Sequence, residues 1–361
     1  MGDNKDLKEL RTKIDEIDVQ IQSIIEQRGA YALDVARFKE KDGQTTAYYR
    51  PEREAQILQR VKDRSQGPID PQTMARLFRE IMSACLALEQ PTKVAFLGPS
   101  GTYTEDATLK QFGQSVQSVP LGSIDSVFRE VERGHAEFAV VPVENSTEGV
   151  VSHTLDRMLD SPLKICGEVE LSIQHCLMSQ AKSLDDLRAV VSHQQSLAQC
   201  REWLAANLPN VEIVTVNSNA EAAKQATKDP TLAAIAGINA SKIYGLHPLA
   251  RNIEDHVGNT TRFLVLGNMD VDPSGRDKTS LVLSSQNQSG ALYRLLAPLE
   301  KNNISMSRIE SRPSRQAKWE YVFFIDIEGH VQDKAVANVI KVLEKEADFF
   351  KHLGSYPTAV L

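Results

Sequence analysis

The sequence has little that would tie it to a metal, a membrane or a polyanion. Its four cysteines, Cys85, Cys166, Cys176 and Cys200, stand singly with no CxxC pair, which disfavours a disulfide framework or structural zinc and points to reduced thiols in the cytoplasm. No stretch approaches the ~20 apolar residues of a membrane-spanning helix. The N-terminus, MGDNKDLKELRTKIDEID, is charged from its third residue, unlike a secretory signal. Histidines are scattered without HExxH spacing, and neither a GxSxG elbow nor a GxxxxGK loop occurs, which sets aside metalloprotease, esterase and P-loop chemistry. A basic excess is missing as well. Lys and Arg number 41 against 48 Asp and Glu, a formal charge of −7, so neither nucleic acid nor a membrane surface is expected as a partner.

What is present suits two or three packed domains: 361 residues, 41% apolar and 25% charged, exceed one compact core. The apolar positions Leu7, Leu10, Ile14, Ile17, Ile21, Ile24, Tyr31, Val35 and Phe38 keep a three-four alternation without proline and predict one long helix over residues 5–41. At ~1.5 Å per residue it spans roughly 55 Å, more than a small domain needs, and such a seam pairs with another helix or another subunit. A break at Gly43–Thr46 follows. Pro51 then marks a second helix start, and Asp70-Pro71 the N-cap and first residue of a third. From Lys93, VAFLG, FAVVPVEN and FLVLG alternate with helical stretches, an α/β pattern long enough for two lobes around a cleft. MDVDPSGRDK (269–278) is a polar linker. The rest runs strand, helix, strand, strand, helix, strand, the βαββαβ order of a ferredoxin-like sheet. The segments are thus 1–91, 92–268 and 279–361.

Within the first helix the heptad count calls for an apolar residue at position 28, yet Arg28 stands there. A buried cation needs an anion, either a neighbouring carboxylate or a ligand; a snorkelling side chain is the plainer alternative. Lys39 shares its face about 16 Å further on, whereas Arg11 lies roughly 25 Å back and ~100° round, so Arg11 could reach the same small ligand only from another subunit. Arg50, Arg53 and Glu54 open the second helix, and Cys85 and Glu89 share a face of the third. Together these describe a cationic pocket with one or two carboxylates inside a helical dimer, suited to a small dianion.

The motifs LRTKID, QRG, FKEK and RPERE, then VAFLGPSGTYTEDA, VPVENSTEGVV, SHQQSLAQC and NTTRFLVLG, then GALY and ESRP, resemble in order those of the bifunctional chorismate mutase/prephenate dehydratase family with a C-terminal ACT regulatory domain. The resemblance implies an all-α three-helix mutase domain in an intertwined homodimer, a two-lobed α/β dehydratase domain of periplasmic-binding-protein type, and a ferredoxin-like ACT domain. It implies conversion of chorismate to prephenate and of prephenate to phenylpyruvate, feedback inhibition by L-phenylalanine, and no cofactor or metal. It carries over Arg11, Arg28, Lys39, Arg53, Glu54 and Glu89 to the mutase reaction. Asn145, Ser146, Ser192, Gln195, Thr261, Arg262 and Phe263 go to the dehydratase. Gly290, Ala291, Leu292, Glu310, Ser311, Arg312 and Pro313 go to the effector. The GPSGT turn offers backbone N–H groups to a carboxylate, and removal of residues 279–361 is expected to spare activity. Three departures stand out: Arg50 replaces an acid, Cys85 replaces Ser, and SHQQ replaces SHPQ. Two other readings remain open, a dehydratase with a weakened mutase segment and a non-catalytic amino-acid sensor on the same two-lobed fold.

Overall fold

The computed structural model describes residues 2–41, 49–285, 288–313 and 321–361. Its helical segment comprises α1 (Gly2–Lys41), α2 (Pro51–Arg64) and α3 (Pro71–Glu89); the break expected at Gly43–Thr46 lies outside the described residues. Asp70 accepts the Thr73 N–H at 2.9 Å and Pro71 takes the first helical position, as its sequence predicts. Ala55, Leu58 and Val61 of α2 pack against Ala75 and Met82 of α3, and burying Leu58 alone stabilises by about 1.5–3 kcal/mol. The C-terminal half of α1 buries Gly29 and Ala36, and half-buries Arg28 and Lys39. A Cβ at Gly29 would touch Leu88 at 3.4 Å, so that half lies against α3. The apolar positions of the predicted seam, which Arg28 interrupts, are exposed from Leu7 (46%) to Phe38 (72%).

Two α/β lobes follow. The first contains β1 (Lys93–Leu97), α4 (Tyr103–Phe112), β2 (Gln117–Leu121), α5 (Ile124–Glu132), β3 (Phe138–Asn145), β4 (Gly149–Val150), α6 (Ser152–Asp160) and β5 (Lys164–Ser172). The second contains β6 (Cys176–Ser179), β7 (Ala189–His193), α7 (Gln194–Gln199), α8 (Arg201–Asn207), β8 (Glu212–Val216), α9 (Asn219–Ala226), β9 (Leu232–Ala236), α10 (Ile238–Tyr244) and β10 (His247–Arg251). The chain then returns to the first sheet as β11 (Thr260–Gly267), inserted between β3 and β5 to give the order β2-β1-β3-β11-β5, while the second sheet runs β10-β6-β9-β7-β8. The lobes are therefore joined by two crossovers, residues 173–175 and 252–259.

The C-terminal unit is β12 (Asp277–Ser285), α11 (Ala291–Lys301), β13 (Met306–Pro313), β14 (Tyr321–Glu328), α12 (Lys334–Glu346) and β15 (Phe349–Pro357), with sheet order β13-β14-β12-β15. Both helices cover one face, where Leu295, Leu299, Val339 and Leu343 meet Leu281, Leu283 and Ile325. The other face packs on the first lobe: Val282, Phe324, Leu353 and Tyr356 share one core with Val143, Leu155, Ile165 and Leu264. Gly354 (φ +150°) permits the close approach, since a Cβ there would collide with the Ile165 carbonyl oxygen. Packing also crosses the helical boundary. Tyr49 is 1% exposed, with its ring 4.8 Å from Phe112 and 5.2 Å from Phe138. Deleting residues 279–361 would bare the shared core, which argues against the expectation that activity survives their removal. Among the described residues no helix is long and apolar enough to cross a membrane.

Candidate functional site

A cavity of about 600 Å³ opens between the two lobes. On its first-lobe side β3 and β11 run antiparallel, with Asn145 opposite Thr261. Asn145 Oδ1 accepts the backbone N–H groups of Thr147 (3.0 Å) and Glu148 (2.9 Å), a turn that fixes which end of the amide faces Thr261. Its Nδ2 donates to Thr261 Oγ1 at 2.8 Å and to Asn259 Oδ1 at 2.7 Å. Because Thr261 Oγ1 receives that bond, its own proton can be directed elsewhere, into the cavity it lines.

The network continues across the hinge. Asn259 Nδ2 donates to Gln199 Oε1 (3.0 Å), His175 Nε2 lies 2.8 Å from the same oxygen, and His175 Nδ1 lies 2.7 Å from the Tyr103 hydroxyl. A carbonyl oxygen opposite Nε2 places the proton on that nitrogen and leaves Nδ1 as the acceptor. Burial lowers the His175 pKa against the opposing influence of Gln199 and Glu254, which favours the neutral ring. Burial likewise drives the Tyr103 pKa well above 10, with Asp106 adding to it. One chain of hydrogen bonds thus runs from Tyr103 in the first lobe, through His175 on a crossover, to Gln199 in the second lobe, and back to Thr261. Gln195 and Phe263 also line the cavity, with Phe263 only 1% exposed.

Other expected members lie elsewhere. Ser192 is fully buried, its hydroxyl donating within reach of Asn219 Oδ1 (2.9 Å) and the Ile235 carbonyl (2.8 Å), so it supports Asn219, which itself lines the cavity. The Ser146 hydroxyl accepts the Thr260 N–H at 3.0 Å and braces the turn. Arg262 must be removed from the cleft: neighbours on a strand point to opposite faces, and its guanidinium bonds Glu168 (2.8 Å), Asp326 (2.6 Å) and Tyr356 (3.0 Å) behind the sheet. In the GPSGT turn the Gly101 N–H is taken by Glu105 Oε2 at 2.6 Å, so that group is not offered to a ligand. Tyr103, His175, Gln199 and Asn259 were not singled out by sequence reasoning; the turn-apart spacing of Gln195 and Gln199, and the place of Asn259 just ahead of TTRF, are the signals that could have found two of them.

In the helical segment Arg28, Lys39 and Glu89 come together where α1 meets α3. Burial raises the Glu89 pKa above its ordinary 4.5, with Lys39 and then Arg28 pulling it down. Glu54 is paired with Arg79 of α3, which is itself 5% exposed, while Arg53 is exposed on α2. Arg50 is engaged by Glu52 (2.5 Å) and Asp272 (2.9 Å). Arg11 is exposed on the far half of α1, and the protomer does not bring it to Arg28 and Lys39. In the C-terminal unit Gly290 caps α11 at φ +77°, with Ala291 and Leu292 opening the helix. Glu310, Ser311, Arg312 and Pro313 end the outer strand β13, where Arg312 pairs with Asp156 of α6 at 3.1 Å.

Residues 10–90 match the chorismate mutase type II family, residues 94–271 the prephenate dehydratase family and residues 279–345 the ACT domain. A bifunctional chorismate mutase/prephenate dehydratase from Stutzerimonas stutzeri is 52% identical over 365 residues, covering 100% of both chains. One from Pseudomonas aeruginosa is 51% identical over the same length and coverage. Among solved structures, a prephenate dehydratase from Arthrobacter aurescens in complex with L-Phe is similar at a TM-score of 0.69 and 33% identity, over 74% of this chain and 90% of that one.

Proposed function

The chain belongs to the bifunctional chorismate mutase/prephenate dehydratase family and carries both activities in phenylalanine biosynthesis; from that premise we propose which residues perform each. The mutase step is a pericyclic rearrangement, so it needs no nucleophile, only a held conformer and donors toward the ether oxygen on which negative charge grows. Arg28 takes a substrate carboxylate, Lys39 and a protonated Glu89 donate to the ether oxygen, and Arg53 and Glu54 orient the ring, Glu54 being fixed by Arg79. An acceleration of ~10⁶-fold, or about 8 kcal/mol, asks for two or three such donors at roughly 2.7–4 kcal/mol each. Arg11 of the partner subunit completes the pocket. The exposed seam of α1 supports this, because an apolar face from Leu7 to Phe38 is what a second copy of the helix would cover.

In the dehydratase step the bond to the departing carboxylate breaks, its electrons pass through the ring, and the C–O bond opposite breaks as hydroxide leaves. That hydroxide needs a proton. Thr261 supplies a hydrogen bond to it, oriented by Asn145, and Gln199, Asn259 and His175 hold Asn145 in register across the hinge. The single observation that carries this reading is the Asn145–Thr261 bond at 2.8 Å, whose donor and acceptor roles leave the threonine proton for substrate. Gln195 and the starts of α4 and α9, which line the cavity, add neutral donors and helix-dipole potential for the carboxylates.

L-phenylalanine is the proposed effector, bound by Gly290–Leu292 and Glu310–Pro313 where the outer strand of one copy meets another; the L-Phe complex of the Arthrobacter relative supports that choice. A cytoplasmic location is favoured by the four free, buried cysteines. To test the dehydratase assignment, purified Thr261→Ala protein is given chorismate. Chorismate consumption should persist while phenylpyruvate formation disappears, and parallel loss of both would withdraw the assignment.

A further inference from the structure

The Asn145–Thr261 pair is held from behind. Along β3 and β11 the next register pair is Glu144 opposite Arg262, and because strand neighbours alternate in direction these two face the C-terminal sheet, not the cavity. On that sheet Arg308 of β13 stands opposite Asp326 of β14. Each residue of one pair bonds its opposite charge in the other: Arg308 Nε to Glu144 Oε2 at 2.8 Å, and Arg262 Nη1 to Asp326 Oδ2 at 2.6 Å. The two side chains that reach inward are well covered, Arg308 at 11% and Asp326 at 6% exposure. Ser280 anchors the ring further by donating to Asp326 Oδ1 at 2.5 Å, as does Lys278 by pairing with Glu168, the second partner of Arg262. Burial works against the Arg262 charge, yet Tyr356, Asp326 and Glu168 hold its pKa above the ordinary value, so the guanidinium stays charged.

We propose that Arg308 and Asp326, which lie outside the dehydratase domain, are positioning residues for dehydration: they clamp Glu144 and Arg262, and so fix the distance and orientation of the adjacent Asn145 and Thr261. The proposal rests on the reading of Thr261 as the donor to the leaving hydroxide. It gives β13 a second task, since the same strand runs on from Arg308 to Glu310–Pro313, and a ligand that moves those residues pulls directly on the clamp.

The test uses full-length enzyme carrying Arg308→Met, Arg308→Lys or Asp326→Asn, assayed for phenylpyruvate formation from prephenate and, separately, for chorismate consumption. Removing one member leaves a buried charge uncompensated and can disturb the fold, so mutase turnover and the thermal melting curve serve as internal controls. A shift on the order of 1 Å in a reacting group can cost as much as ~10²-fold in rate, and Arg308→Met and Asp326→Asn should lower the dehydratase kcat by about 10- to 100-fold with little change in KM. Mutase turnover should hold, and Arg308→Lys should fall between Arg308→Met and the native enzyme. A native dehydratase kcat in folded Arg308→Met and Asp326→Asn overturns the proposal, as does an equal fall of both activities, which reports structure alone. Native dehydration by Thr261→Ala would instead remove the premise, a result the Arg308 series does not mimic.

Discussion

Replacing Glu89 by Gln separates a hydrogen-bond donor from a titratable one. A carboxylate donates only while protonated, and burial holds Glu89 protonated to higher pH than its ordinary 4.5, against the opposing charges of Lys39 and Arg28. Below its pKa the acid and the amide are equivalent donors to the ether oxygen, so native enzyme and Glu89→Gln should turn chorismate over at similar rates. Above it the native side chain becomes an acceptor facing a developing negative charge. The log of kcat should then fall by one unit per pH unit, levelling out once the donor's contribution is gone, about 10²- to 10³-fold down, or roughly 2.7–4 kcal/mol. The amide variant should stay level across the same range. Lys39 and Arg28 favour the ionised form, so removing the Lys39 charge should move the descent to higher pH even as it lowers the maximum. The assay is chorismate disappearance at saturating substrate over the pH range in which circular dichroism reports native protein. Superimposable native and Glu89→Gln profiles would refute the reasoning.

Further outcomes follow from single features. Ile17→Glu places a charge in the exposed seam of α1 and should convert the proposed dimer to protomers in sedimentation; mutase activity should go with it, since the proposed shared pocket would lose Arg11 of the partner subunit, while dehydration persists, and an unchanged sedimentation coefficient would count against that pocket. Asp106 titrates at about 6 instead of 3.8, chiefly because burial disfavours its charge, with Asn239 opposing and Glu105 adding. The folded state therefore binds the proton more tightly than the unfolded one, and this carboxylate costs stability increasingly from pH 3.8 up to about 6 and fully above. Asp106→Asn should raise stability above that range by up to about 3 kcal/mol, and by nothing at more acid pH; a pH-independent difference in melting temperature would contradict the assignment. Leu58→Ala, at a fully buried position between α2 and α3, should destabilise by about 2–5 kcal/mol in denaturant unfolding monitored from the helical segment.

Much of the fold was legible because period and punctuation agree. The proline-free three-four alternation from Leu7 gave α1, Asp70-Pro71 gave the start of α3, and βαββαβ gave the C-terminal sheet. Cores were less legible. Nothing local marks Tyr49 for the neighbouring domain, or Leu353 and Tyr356 for the first lobe, since their partners lie far along the chain. At the candidate site the ENS and TRF motifs located Asn145 and Thr261, but a motif treats its letters alike where a strand does not. Period two sends Thr261 to the cavity and Arg262 behind it, and taking TRF as one unit hid that alternation. Ser192 belongs to a buried strand end and serves Asn219, while His175 sits on a crossover whose role exists only once two lobes are paired.

The two sites treat dianionic guests in opposite ways, and the chemistry accounts for the difference. The mutase keeps both carboxylates and builds charge on an oxygen, so the roles proposed for Arg28 and Lys39 put cations where they would stabilise ground state and transition state alike and the ether oxygen most of all. The dehydratase must release one carboxylate as neutral carbon dioxide, and a guanidinium held against it would strengthen the bound ground state as its charge departs. Among the described residues lining the cleft there is neither Lys nor Arg. Amides, hydroxyls, His175, His193, Phe263 and the carboxyl group of Glu148 line it instead, and the positive side chain nearest in sequence, Arg262, is turned away into the charge ring behind the sheet. The same alternation that removes Arg262 from the reacting groups gives the C-terminal domain its hold on them. A cleft with neither Lys nor Arg among its described lining residues and a charged rear face are thus two consequences of one strand pairing.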